Sequence, residues 1–153
     1  MGLLSTFASF VLLAFMCGVV LVTQPGFNST LSTNIGGPLN AASISLSVSA
    51  IVVLILRFFL APEFSFLLAF EKTPYWGWLG GFLGVFFVTA SMYVAPRIGA
   101  TSLISLVLCG QIIAALLYDK FGLFGYGEQP ITQLRLLGVA LIVIGTGLVL
   151  AKQ

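Results

Sequence analysis

Charged side chains are scarce in this chain, and the polar groups available near the centre of its long apolar runs are Gln24, Asn28, Ser43, Ser47, Tyr93 and Gln111. Amides and hydroxyls donate and accept hydrogen bonds without carrying net charge. That chemistry suits a neutral or zwitterionic solute, with aromatic walls adding stacking or cation–π contacts. An amide left unpaired in hydrocarbon costs several kcal/mol, so each such group needs a partner. For Gln111 the partner is either a solute or a neighbouring helix, the latter contributing about 1 kcal/mol. Ala114 and Ala115 beside it are small enough to leave room around the amide. Ser43 and Ser47 share a stripe with Asn40, and serines there can return their hydroxyls to the preceding turn. Tyr93 lies near the end of a run, where tyrosine also serves as an interfacial anchor.

Other chemistries are missing their parts. The chain has no histidine, and its four acids, Glu63, Glu71, Asp119 and Glu128, all fall in loops or at the ends of apolar runs. With no paired carboxylates and no ligand cluster, neither hydrolytic machinery nor a metal or cofactor site is expected, and the chain reads as a non-enzyme. Cys17 and Cys109 lie inside apolar runs and read as small buried thiols. A net charge of +2 without a basic cluster argues against a nucleic-acid partner. Asp119 is placed to meet Arg135 across the loop between them. Met1-Gly2 with Thr6 and Asn28-Ser29-Thr30 formally match acylation and glycosylation signals, but both are short enough to arise by chance. The N-terminus lacks the basic residues of a signal peptide and reads as a retained helix.

The elements that hold these residues are membrane spans. The 153 residues are 59% hydrophobic and 7% charged, with mean hydropathy +1.17; a soluble domain carries about 25% charge. The expectation is one all-α transmembrane domain over 1–153, with the lipid bilayer as its surroundings. Residues 75–95 and 98–118 are two uncharged runs of 21 residues, each roughly 30 Å as helix, the thickness of the hydrocarbon core. A hinge at Pro96-Arg97 makes them antiparallel neighbours. Gly77/Gly81 and Gly80/Gly84 form a flat strip where another helix can approach closely. A first helix over about 3–32 is expected to kink or stop at Pro25, whose ring clashes with the carbonyl of Leu21. A second runs over 38–60 with Pro38 at its first position, and a fifth over 131–151. The apolar centre of the 61–74 loop can lie in the interface, and Tyr75, Trp76 and Trp78 form an aromatic anchor. Five spans put the two ends of the sequence on opposite sides of the membrane.

QPGFNSTL in the first span, WGWLGGFLGVFFVTASMYVAPRIGA through the third, and GQIIAALLYDKFGLFG followed by RLLGVALIVIGTGLVL resemble the YdcZ-type family. This is a five-helix branch of the drug/metabolite transporter superfamily, and the resemblance covers nearly the whole chain. It implies half of a ten-helix transporter: an antiparallel (inverted) homodimer, or a heterodimer with an oppositely oriented homologue, in the bacterial inner (plasma) membrane. A small solute would pass between the protomers by alternating access. With the N-terminus inside, Arg57, Lys72, Lys120 and Arg135 fall inside and Arg97 and Lys152 outside, a bias weak enough to permit both insertions. The chain departs from the small multidrug resistance transporters of that superfamily, which carry a glutamate within the first helix. The alternative function is a non-transporting subunit that uses its glycine faces only for assembly.

Overall fold

The structure, a computed structural model, describes residues 2–61 and 65–151. Glu63, one of the four acids, and Lys152, one of the six basic residues, lie outside the described residues.

The described chain is helical throughout: α1 (Gly2–Asn34), α2 (Pro38–Leu60), the short α3 (Phe66–Lys72), a 3₁₀ turn (Tyr75–Leu79), α4 (Gly80–Phe121), a second 3₁₀ turn (Leu123–Gly125) and α5 (Gln133–Leu150). Hydrocarbon leaves no water to bond a free N–H or carbonyl, so long apolar sequences close their hydrogen bonds within one helix. Among the described residues four helical stretches are long and apolar enough to cross a membrane: Thr6–Asn34, Pro38–Leu60, Tyr75–Phe121 and Gln133–Leu150. The third has 47 residues, about 70 Å as a straight helix and twice the hydrocarbon thickness.

That stretch is interrupted at Gly99, where φ is 77° and ψ 158°. The break therefore falls after the expected Pro96-Arg97 hinge, and Pro96 lies inside the helical run. The backbone at the break belongs to a region essentially reserved for glycine. Proline removes one donor but cannot supply that conformation, so the first glycine beyond it takes the turn. Nor does α1 break near Pro25: the helix runs on to Asn34 with the proline inside it. The proline ring is buried, and the Thr23 hydroxyl bonds the Val19 carbonyl in the turn before it at 2.8 Å. A chain in lipid loses less by keeping a helix with one bond missing than by opening its backbone.

Internal packing gathers into two compact units, Met1–Ala95 and Pro96–Gln153, where the sequence suggests one domain. In the first, the core is Ala41 and Ala42 of α2 with Val88 and Met92 of α4, flanked by Leu31, Ile35 and Leu46. The α1–α2 connection is tight: Gly37 N–H donates to the Ser32 carbonyl at 2.9 Å, and the Asn40 amide to the Ile35 carbonyl at 2.9 Å. Two alanines at 0% and 2% exposure let helix backbones come close at this point. Away from it, apolar residues such as Phe10, Phe15, Val53 and Phe82 are exposed, the pattern of a lipid-facing surface. Before the break, Ser65 caps α3 through its hydroxyl, and Phe70 stacks on Trp78 with centroids 4.6 Å apart. In the second unit, Thr132 caps α5 and the Thr146 hydroxyl donates to the Ser105 carbonyl at 3.2 Å.

Candidate functional site

The six polar residues singled out by sequence divide between the units. In the first unit, Asn28 is buried at 7% exposure on the same α1 stripe as Pro25 and Ser32, and Gln24 is half-buried one turn earlier. Ser43 and Ser47 on α2 are exposed. The Ser43 hydroxyl donates to the carbonyls of Leu39 and Asn40 at 3.0 and 2.9 Å, the local pairing that reduces a serine's need for any other partner. Tyr93 is 47% exposed.

In the glycine strip, a methyl group built on Gly80, Gly81 or Gly84 would meet no atom within 4 Å. Among the described residues, nothing packs closely on these three glycines. Gly77 lies in the 3₁₀ turn, and a methyl there would sit 2.8 Å from Thr73 Cγ2 of its own segment.

Gln111 belongs to the second unit and to a different setting. It lines a cavity of about 440 Å³ with Ala114, Ala115, Tyr118, Asp119 and Tyr126. The helix spacing of 111, 114, 115 and 118 puts these residues on one face, and the two alanines leave the floor open below the amide.

The opposite wall comes from the loop after α4, and its local chemistry explains why it folds back. Gly122 adopts the left-handed conformation at φ 59° that ends a helix readily. A Cβ at that position would lie 2.9 Å from Cγ of Glu128, so only glycine lets the returning strand of chain pass so close. The Gln129 N–H then donates to the Asp119 carbonyl at 2.8 Å. Phe124, with φ 55°, is the sole non-glycine residue in the left-handed region among those described. That backbone costs on the order of 1–3 kcal/mol, and here it coincides with an aromatic cluster. The Phe124 ring meets Tyr118 edge-on at 5.2 Å, and Tyr126 stacks on Tyr118 at 6.2 Å with 20° between the planes.

Asp119 is held from the far side. Arg135 Nη1 lies 3.2 Å from its Oδ2, with the two side chains 45% and 31% exposed. This is the pairing that the loop length suggests. It is partly solvated, so the pair positions its members more than it stabilises the fold. Asp119 and Arg135 also border a neighbouring, mainly apolar cavity of about 260 Å³ between α5 and the end of α4.

Sequence reasoning singled out Gln111 and its small neighbours and read Asp119 as the partner of Arg135, without singling out Tyr118 or Tyr126. The signal available was three aromatic residues, Tyr118, Phe124 and Tyr126, flanking an acid across a glycine-rich loop. Among the described residues no group of three or more His, Cys, Asp or Glu side chains is arranged to hold a metal ion.

An all-helical chain with several bilayer-length apolar helices and a solute-sized polar and aromatic cavity is a polytopic integral membrane protein. Residues 9–148 match the family described as "Putative inner membrane exporter, YdcZ"; the chain belongs to that family and is a protein of the bacterial inner membrane. No curated protein and no solved structure matches the chain.

Proposed function

We propose that this protein exports a small solute across the inner membrane in the manner of the drug/metabolite transporters, working as an antiparallel dimer by alternating access. The observation that carries the reading is the family match over residues 9–148, which spans every apolar helix. Three features support the finer parts. The strip of Gly80, Gly81 and Gly84 is open within one chain and suits close approach by a second. The Lys and Arg bias of a five-span reading is four against two, weak enough to permit insertion both ways. The cavity around Gln111 is of the size that ligand pockets occupy, about 300–1,000 Å³. The membrane-assembly subunit remains the second reading, since the same open glycine strip would serve a purely structural partner.

Reconstitution tests both. Liposomes containing the purified protein are expected to release a preloaded solute from a mixed panel with saturable kinetics. Gly81→Leu should lower the dimer fraction and the flux together, with helical melting of the protomer unchanged, because a Cβ at that position meets no atom within 4 Å. Val85→Leu should do neither. Retained dimer with no flux of any solute would favour the assembly subunit. Wild-type dimer and flux in Gly81→Leu would remove the strip from the interface.

A further inference from the structure

The cavity of the second unit has a chemical character that the exporter reading alone does not supply. Six residues line it, and Asp119 is the one charged group among them. Its other polar groups are the Gln111 amide and the two phenols. The rest of the surface is aromatic face and alanine methyl. Arg135, which pairs with Asp119, borders the neighbouring cavity and does not line this one. The carboxylate is thus the charged group that an occupant of this cavity meets, beside a wall built from tyrosine rings.

Aromatic faces carry negative quadrupole density and attract cations, most strongly where water is displaced. Neutral sugars or amides can pack on the rings and hydrogen-bond to Gln111 and Asp119, but they gain no charge attraction from either. Anions would meet Asp119 unfavourably. A small inorganic cation would need several oxygen ligands at once, and one carboxylate with one amide does not provide them. We propose that this cavity is a binding site for a compact organic cation, an amine or quaternary ammonium. Its charged head lies against the rings of Tyr118 and Tyr126 within reach of Asp119, and its body extends over Ala114 and Ala115 toward Gln111. The strained Phe124 backbone serves this site by setting the ring that buttresses Tyr118.

As a substrate site the cavity rests on the exporter reading; as a binding site it does not. The loop also makes the site testable, because Tyr126 is 60% exposed and lies outside the helices. Its replacement leaves the helix packing untouched.

The test uses the full-length protein in lipid nanodiscs, where both membrane faces are accessible, with radiolabelled choline as probe and 3,3-dimethylbutan-1-ol as its uncharged carbon isostere. Saturable choline binding is expected, with the isostere weaker by about ten-fold or more and Tyr126→Ala weaker by about five-fold. Tyr126→Phe, which keeps the ring, should stay within about two-fold of wild type. Asp119→Asn should lose about ten-fold by removing the charge; should that variant fail to fold because Arg135 loses its partner, the two Tyr126 variants decide. Equal binding of choline and isostere, or wild-type binding by Tyr126→Ala, overturns the proposal. The panel flux separates this from the exporter reading. Choline bound with no solute transported upholds the site and removes the exporter; a neutral solute transported with no choline bound does the reverse.

Discussion

The units Met1–Ala95 and Pro96–Gln153 both bury polar residues, Ser102 and Thr146 in the second among them, but set others differently. In the first, Asn28, Ser32 and Ser91 are buried on helix faces that they share with apolar neighbours, and the Ser91 hydroxyl bonds the Val88 carbonyl of its own helix. In the second, Gln111, Tyr118 and Asp119 border open space, and a loop returns to face them. A polar group buried with local partners lets helices pack in lipid without leaving dipoles unmet. A polar group beside a void has capacity left for a ligand. Polarity within a span therefore does not by itself mark a site; the neighbours' size and the chain's return do.

The largest effect that would sharpen this contrast is expected at Ala41. It has no exposed surface, and Ala41→Leu forces a branched side chain into the meeting of α1, α2 and α4. Overpacking of this kind costs about 1–3 kcal/mol, and the melting temperature in detergent should fall accordingly. A variant that melts like wild type would mean the first unit is not the packed one.

Gln111→Ala should act the other way, lowering the affinity of whichever solute the reconstituted protein transports by roughly 1–3 kcal/mol, the range for a lost buried hydrogen-bond partner. Stability should hold, because Gln111 is an exposed helix residue and alanine is the best helix former. Lost stability with unchanged affinity would make the amide a helix contact and break the comparison. The smallest effect is expected at Ser43, whose hydroxyl bonds only its own preceding turn. Ser43→Ala should shift both melting and solute affinity by less than about 0.5 kcal/mol. A clear loss of affinity would move the solute into the first unit.

Much of this architecture is legible from hydropathy, since a long uncharged run in lipid has little choice but helix. The turns are less so. Pro25 and Pro96 are the obvious breakers by residue type, yet both lie within helix, and the break comes at Gly99. Proline only subtracts one hydrogen bond, whereas interrupting the helix here takes a backbone conformation that glycine supplies. The candidate site was half legible for a similar reason. Gln111, Ala114, Ala115 and Tyr118 share a helical spacing that can be counted along the sequence. The arrival of Tyr126 depends on left-handed turns at Gly122 and Phe124, and nothing in the residue type of Phe124 announces one. The Asp119–Arg135 pair was within reach because a short loop and opposite charges limit the choices.

The placement of the charged residues has an electrical consequence. No Asp, Glu, Lys or Arg occurs in residues 6–34, 38–56, 75–96, 100–118 or 136–150. Any rearrangement of these segments moves no fixed charge through the membrane's field. In the proposed transport cycle the resting potential would then act through what the solute itself carries, with the charge of any coupling ion added. For a neutral solute moving alone that is nothing, and for a cation carrying one charge it is about 2.3 kcal/mol per 100 mV, none of it shared with the protein.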